Sequence, residues 1–192
     1  MIDREQYTPG PANVAHVQKQ GDKWMLILVR ELRHPPEKVW QALTDPQHLR
    51  EWAPFDADAS LATRGATVKL TTVGAPAPRV TETTVTRADA PNFLEYTWGD
   101  FDMRWQLEAV HGSTRLTLWT NIGRRFISMG AAGWHICFDV LDRLLAGKPI
   151  GRIAGPEAMK FDWQRLNAEY ARQFGIETLN WPPNADKQGE QR

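Results

Sequence analysis

Three residues of metal-ligating types lie close together within a predicted helix, and they are His135, Cys137 and Asp139. In a helix His135 and Asp139 are one turn apart, but Cys137 lies about 200° round the axis from His135. The three side chains therefore cannot converge on one metal ion without further ligands. The spacing favours a surface His–Asp pair and a buried thiol, so we predict no metal site and no cofactor.

General acid–base chemistry would need a polar or ionisable group that points into a cavity. Residue alternation along two predicted hairpins turns three carboxylates outward, and these are Glu95, Asp102 and Glu108. The opposite face offers only the Tyr96 hydroxyl, Thr120 and tryptophan N–H groups. Arg79 and Glu82 belong to an earlier strand whose facing the sequence leaves open. We therefore predict no catalytic residue, and the pattern disfavours an enzyme without excluding one.

The two hairpins assign side chains to the faces of an antiparallel sheet. The turn signal Gly99-Asp100 places Leu94 opposite Trp105, and the signal Gly112-Ser113 places Trp105 opposite Thr120. Both hairpins give the same apolar face, which carries Leu94, Tyr96, Trp98, Phe101, Met103, Trp105, Leu107, Leu116, Leu118 and Ile122. One face of the sheet is therefore expected to be buried and the other solvated.

The elements around this sheet are predicted from periodicity and from helix breaks. Residues 24–33 form an apolar strand, and about six strands follow between 55 and 122. Between them Asp45-Pro46 interrupts a helical pattern, because the residue before proline leaves the helical region and can cap a second short helix. A long helix over 130–146 should cover the apolar face, and a last helix is predicted from about 156 to 174.

This order of elements resembles the START-like (SRPBCC) superfamily. The resemblance is carried by VWQALTDPQHLREWAP, PNFLEYTWGD, GSTRLTLW and GWHICFDVLDRLLAG, which are similar to bacterial members related to the activator of the heat-shock-protein-90 ATPase. It covers roughly residues 24–147. It implies an α+β helix-grip fold, in which a curved antiparallel sheet of about seven strands surrounds a long C-terminal helix. Two short helices form a V at one end, and this chain adds an extra C-terminal helix.

Members of that superfamily typically hold a hydrophobic cavity between the sheet and the long helix, so the resemblance implies a cavity here. Its predicted lining is Trp52, Tyr96, Trp98, Met103, Trp105, Leu118, Phe138 and Leu141. For each residue taken singly, core packing is the simpler interpretation, but the set favours a cavity. We predict binding of a small apolar or aromatic molecule. The alternatives are a co-chaperone-like interaction domain and a cyclase- or hydrolase-like enzyme that uses the same cavity.

Composition argues against several classes of partner. The chain has 192 residues, a formal net charge of zero and no basic run, so nucleic acid and membranes are not expected partners. Its single cysteine excludes an internal disulfide and fits a reducing compartment. No apolar run reaches the roughly 20 residues of a membrane span, and the polar start shows no signal peptide. A cytoplasmic location is predicted.

The domain organisation is predicted from the same patterns. Residues 1–22 form an N-terminal arm and 23–150 the helix-grip domain, while 151–175 hold the appended helix and 176–192 a mobile tail.

The appended helix carries an apolar stripe without an assigned partner, made of Met159, Trp163, Leu166 and Tyr170. The alternation of side chains along the second hairpin also places Trp119 on the solvated face, opposite Gln106. The stripe could cover the rim of the sheet or cavity in its own chain, pack with Trp119 across a dimer interface, or lie on an ordinary part of the domain. We predict a homodimer with Trp119 or this helix in its contact.

Overall fold

The computed structural model describes residues 4–179, which form nine β-strands and four α-helices. The strands are β1 (Ala15–Gln20), β2 (Lys23–Leu32), β3 (Phe55–Ala57), β4 (Thr67–Thr72), β5 (Arg79–Thr84), β6 (Arg87–Asp89), β7 (Phe93–Trp98), β8 (Phe101–Val110) and β9 (Ser113–Asn121). The α-helices are α1 (Pro36–Thr44), α2 (Pro46–Trp52), α3 (Ile127–Leu145) and α4 (Trp163–Phe174). Short 3₁₀ turns lie at Arg4–Gln6, Arg124–Phe126 and Gly155–Lys160.

The strands form two antiparallel sheets, and α3 packs on the larger one. The larger sheet has the order β1-β2-β9-β8-β7-β6, and the smaller has the order β3-β4-β5. The predicted α+β helix-grip fold is confirmed. No helix of residues 4–179 is long and apolar enough to cross a membrane.

The predicted count of about seven strands is too low. The missed strand β1 lies in the stretch assigned to the arm and pairs with β2 across a Gly21-Asp22 turn, in which Gly21 has φ 58°. Its sequence is mostly polar because it is an edge strand, so period-two alternation is weak there. The predicted tail is described only as far as residue 179, and its remainder lies outside the described residues.

The predicted break between α1 and α2 is confirmed. Asp45 ends α1 and caps α2, since its Oδ1 accepts a hydrogen bond from the Gln47 amide at 2.8 Å. Pro46 occupies the first turn of α2, where its missing amide hydrogen costs no helical bond. The Trp52 indole donates to the Ala42 carbonyl at 2.9 Å, which ties the two helices of the V together.

Both hairpin predictions assign the side chains to the correct faces of the sheet, but one of them gives the wrong pairing register. Leu94 pairs with Trp105 as predicted. Trp105, however, pairs with Leu118 rather than with Thr120. The turn is His111-Gly112, and both residues have positive φ, as a two-residue type I′ turn requires. The shift is two residues, so every side chain keeps its predicted face.

The C-terminal helix differs from its prediction at its start. A 3₁₀ segment precedes α4, and Asp162 with φ 54° separates the two. Leu166 and Tyr170 are buried against α3 of the same chain, so much of the stripe has an intramolecular partner. Trp119 is partly buried on the outer face and pairs with Arg104, not with Gln106. The homodimer stays a prediction.

Candidate functional site

An apolar cleft of about 580 Å³ lies between the first half of α3, one end of the large sheet and the segment that follows α3. The sheet contributes Trp98, Phe101, Thr120 and Ile122. The α3 side contributes Phe126, Met129, Gly130, Gly133, Trp134 and Cys137. The remaining wall consists of Pro54, Gly74, Ala75, Pro76, Ile153, Ala154, Gly155, Pro156, Ala158, Met159 and Trp163.

Two glycines of α3 have different roles at this cleft, although the sequence suggests close packing for both. A Cβ on Gly130 would lie 2.2 Å from Cδ1 of Ile122, so Gly130 lets α3 approach the end of the sheet. A Cβ on Gly133 would meet nothing within 4 Å. Gly133 therefore leaves space on the cleft wall, and the packing interpretation is wrong for it.

The far wall is the closing segment, residues 150–163, which lies beyond the predicted helix-grip domain except for its first residue. Its Gly155 abuts Gly74 in the loop between β4 and β5, and a Cβ on Gly155 would lie 2.7 Å from the Gly74 carbonyl oxygen. Both glycines have positive φ. The contact therefore depends on glycine twice, for the backbone conformation and for the close approach.

The N-terminal arm holds the start of the closing segment in place. The Arg4 guanidinium donates to the carbonyls of Ile150 and Arg152, at 2.8 Å each. It also forms an ion pair with Glu157 at 2.7 Å. Sequence reasoning missed this wall, because the arm and the segment are about 150 residues apart in the chain. The unassigned apolar residues Met159 and Trp163 were the signal that could have found it.

Trp134 separates the cleft from a packed aromatic cluster. Its ring centroid lies 5.7 Å from that of Trp105, 5.9 Å from Phe138, 6.2 Å from Trp98 and 6.5 Å from Trp52. Trp134 also lines the cleft. Large rings thus pack between the middle of α3 and the sheet, whereas the cleft lies beside the first half of the helix.

The predicted cavity residues divide at this boundary. Trp98 lines the cleft, and its indole donates to Thr72 Oγ1 at 2.9 Å. The others are buried in the core behind the cleft wall, and these are Trp52, Tyr96, Met103, Trp105, Leu118, Phe138 and Leu141. The structure therefore brings the eight residues together as one cluster but places one of them on the open surface. Their part in ligand binding stays a prediction.

The cleft is free of charge among its described lining residues, all of which are apolar or neutral. Burial raises the pKa of the Cys137 thiol to about 12, so the thiol is neutral. Burial also raises the pKa of Tyr96, whose oxygen accepts a hydrogen bond from the Trp105 indole at 3.3 Å. The Thr120 hydroxyl donates to the Met103 sulfur at 3.7 Å.

The two charged residues whose facing the sequence leaves open point into solvent. Arg79 is exposed and lies 3.9 Å from the exposed carboxylate of Asp100. Glu82 is exposed on β5. Neither residue lines the cleft, so neither is placed there as an acid or a base.

The His135–Asp139 pair belongs to a polar network on another side of α3, so the prediction of a surface pair is wrong. His135 is only 3% exposed, and its Nδ1 lies 2.9 Å from the Tyr170 hydroxyl. Asp139 accepts hydrogen bonds from the Tyr7 hydroxyl at 2.7 Å and from Arg30 Nη1 at 2.6 Å. The prediction failed because the N-terminal arm and α4 cover this face.

Burial is the main cause of the pKa shifts in this polar network. Burial lowers the pKa of His135 to about 4, and the nearby Asp139 only partly offsets this. Burial and Asp139 together raise the pKa of Tyr7. Burial raises the pKa of Tyr170 to about 12. Cys137 lines the cleft instead, and no group of three metal-ligating side chains is found in residues 4–179.

Comparison with known proteins places the central part of the chain in one family. Residues 33–146 match the family model described as Activator of Hsp90 ATPase homolog 1-like protein. No curated protein matches the chain. The matched region contains the V, the strands β3 to β9, and α3, whereas the closing segment and α4 lie outside it.

Several solved structures are similar to this chain. A protein from Mesorhizobium loti is 25% identical with a TM-score of 0.55, over 64% of this chain and 97% of that one. A conserved protein of unknown function from Enterococcus faecalis is 17% identical with a TM-score of 0.64, over 84% and 90%. A Staphylococcus saprophyticus protein is 20% identical with a TM-score of 0.57, over 68% and 98%.

Proposed function

We propose that this chain, which belongs to the family of Activator of Hsp90 ATPase homolog 1-like proteins, binds a small apolar or aromatic molecule in the cleft beside α3. The observation that carries the proposal is an apolar cleft of about 580 Å³, a volume in the usual range of small-molecule sites. Proteins of this fold family generally bind hydrophobic ligands, which supports the same conclusion.

The proposed binding surface combines rigid and adjustable parts. Trp98 and Trp134 form a wall that the aromatic cluster supports from behind. Met159 and Trp163 face them from the closing segment and the start of α4. Large aromatic side chains contribute apolar area with little loss of side-chain entropy, and a methionine adapts to irregular shapes. This combination suits a small molecule with aromatic or alicyclic rings.

The two alternative functions have less support from the site. An acid–base enzyme would need an ionisable group that works near neutral pH, and the cleft contributes only the Cys137 thiol with its raised pKa. The co-chaperone-like function stays a prediction, since no feature of the described residues distinguishes it.

The proposal is tested by native mass spectrometry of the protein purified from its own host. We expect a bound small molecule on the parent protein. Gly133→Leu should abolish it, because the new side chain would occupy the space that Gly133 leaves open. Asp142→Leu is the matched control, since it introduces the same residue at an exposed position of the same helix.

Two outcomes would count against the proposal. If the parent carries no small molecule, and a broad panel of apolar compounds leaves its melting temperature unchanged, ligand binding loses its support. A bound molecule that persists equally in Gly133→Leu would show that binding occurs elsewhere.

A further inference from the structure

We infer that the part of the ligand held within this cleft carries no ionised acid group, so that a carboxylate or phosphate buried among the lining side chains is excluded. The inference rests on the proposed function and narrows its ligand class. It is carried by the absence of any charged side chain among the described residues that line the cleft, and by the state of the charges next to it.

The lining gives an anion no cation and few side-chain donors in return for the water it would lose. A buried carboxylate or phosphate is tolerated only with paired charges or several hydrogen-bond donors. The side-chain hydroxyl in the lining belongs to Thr120, and it already donates to the sulfur of Met103. Gly130 and Gly133 lie within α3, so their amides belong to the helix and not to an anion-binding loop.

Two charged residues of an adjoining groove already have partners. Arg152 and Glu157 line an adjoining groove that shares the loop after β4 with the cleft. Arg152 donates to Asp56 at 2.6 Å, and Glu157 pairs with Arg4 at 2.7 Å. An anionic headgroup at this rim would compete with Asp56 for the Arg152 guanidinium.

The thiol of the cleft gives independent support. Cys137 lies on the wall, and burial is the main cause of its raised pKa, even though Arg152 acts in the opposite direction. The same environment that disfavours the thiolate disfavours any other anion at this depth.

The test uses two fluorescent probes that share one skeleton and differ by a sulfonate. N-phenyl-1-naphthylamine is neutral, whereas 1-anilinonaphthalene-8-sulfonate is anionic, and each brightens in an apolar site. We expect the neutral probe to bind at least about tenfold more tightly. Gly133→Leu should weaken the binding of both probes, and this result would assign their binding to the cleft.

A matched pair of variants tests the cause of this preference. Met129→Lys places a cation on the cleft wall and should shift the preference toward the sulfonate, whereas Met129→Leu should leave it unchanged. If both probes bind equally, or the sulfonate binds more tightly, and Gly133→Leu weakens both, the inference fails while the proposed function stands. If neither probe binds, or Gly133→Leu has no effect, the proposed function fails and takes the inference with it.

Discussion

Trp134 and His135 are adjacent on α3, yet their side chains enter opposite kinds of environment. Trp134 borders an apolar cleft that protein atoms do not fill. His135 enters a polar network that the N-terminal arm, β2 and α4 close over. One side of the helix is open and uncharged, and the other is packed and ionic.

The difference shows that the residue types best suited to chemistry serve structure in this protein. His135, Asp139 and Arg30 join elements that are distant in sequence, and they are bonded to one another or to Tyr7 and Tyr170. Residues that carry no reactive group, such as Gly133 and Trp134, form the surface that a ligand would contact.

Loss of the central carboxylate should have the largest effect. Asp139→Ala leaves the Arg30 guanidinium, whose side chain is 18% exposed, without its partner. We expect the free energy of unfolding to fall by about 3–5 kcal/mol. Denaturant unfolding measures this. The control Asp102→Ala removes an exposed ion pair to Lys23 and should cost about 1 kcal/mol or less. Equal losses in the two variants would contradict the structural role of the network.

The second prediction concerns pH. The pKa of His135 is lowered to about 4 in the folded protein, against about 6.5 when unfolded. Between these values the unfolded chain binds more protons. The contribution of neutral His135 to the free energy of unfolding is therefore fully present above pH 6.5. It is lost as the pH falls toward 4, and the loss is on the order of 2–3 kcal/mol.

The titration of His135 must be separated from that of its neighbours. Asp139, Arg30, Arg165 and Glu169 all act on the pKa of this imidazole. His135→Gln removes the imidazole and keeps those groups. We expect its unfolding free energy to depend less steeply on pH between 4 and 6.5 than that of the parent. If the unfolding free energies of the parent and His135→Gln depend equally on pH, the burial of His135 does not cause the loss of stability at acid pH.

The third prediction loosens the closing segment. Gly74→Ala introduces a Cβ 2.9 Å from the Gly155 Cα at a residue with φ 79°. Gly65→Ala is matched to it, because Gly65 has φ 83° but nothing within 4 Å. We expect the matched variant to cost about 1 kcal/mol through backbone strain, and Gly74→Ala to cost about 1 kcal/mol more. Only Gly74→Ala should also weaken binding of the neutral probe. Equal affinities of Gly74→Ala and Gly65→Ala for the neutral probe would show that the closing segment is not part of the binding site.

The smallest change in stability is expected at the cleft itself. Gly133→Leu replaces a mid-helix glycine by a better helix former, so the free energy of unfolding should stay within about 1 kcal/mol of the parent or rise. Thermal unfolding checks this. A large loss of stability would mean that the space beside Gly133 is needed for packing and is not available to a ligand.

The sequence predicted the fold well because its signals are local. The Asp45-Pro46 break and the alternation along β7 and β8 depend on residues near one another, and the structure confirms both. The register of the last hairpin failed because His111, an uncommon residue at positive φ, forms the turn together with Gly112.

The cleft was less predictable than the fold, because it is defined by distances between elements. The sequence indicated an apolar set beneath α3, but it did not show that rings fill the middle of that set and leave space near Gly133. Nor did it show that Arg4 holds the closing segment over the same space. Such features arise from contacts between residues that are far apart in the chain.

One measurement tests the central claim most directly: the indole N–H signals of ¹⁵N-labelled protein, recorded as N-phenyl-1-naphthylamine is added. Single Trp→Phe variants assign the signals. The largest changes should occur at Trp98, Trp134 and Trp163, which line the cleft, and small ones at Trp40 in the V and Trp119 on the outer face. Changes that are largest at Trp119, or no change at saturating probe, would contradict binding in the cleft.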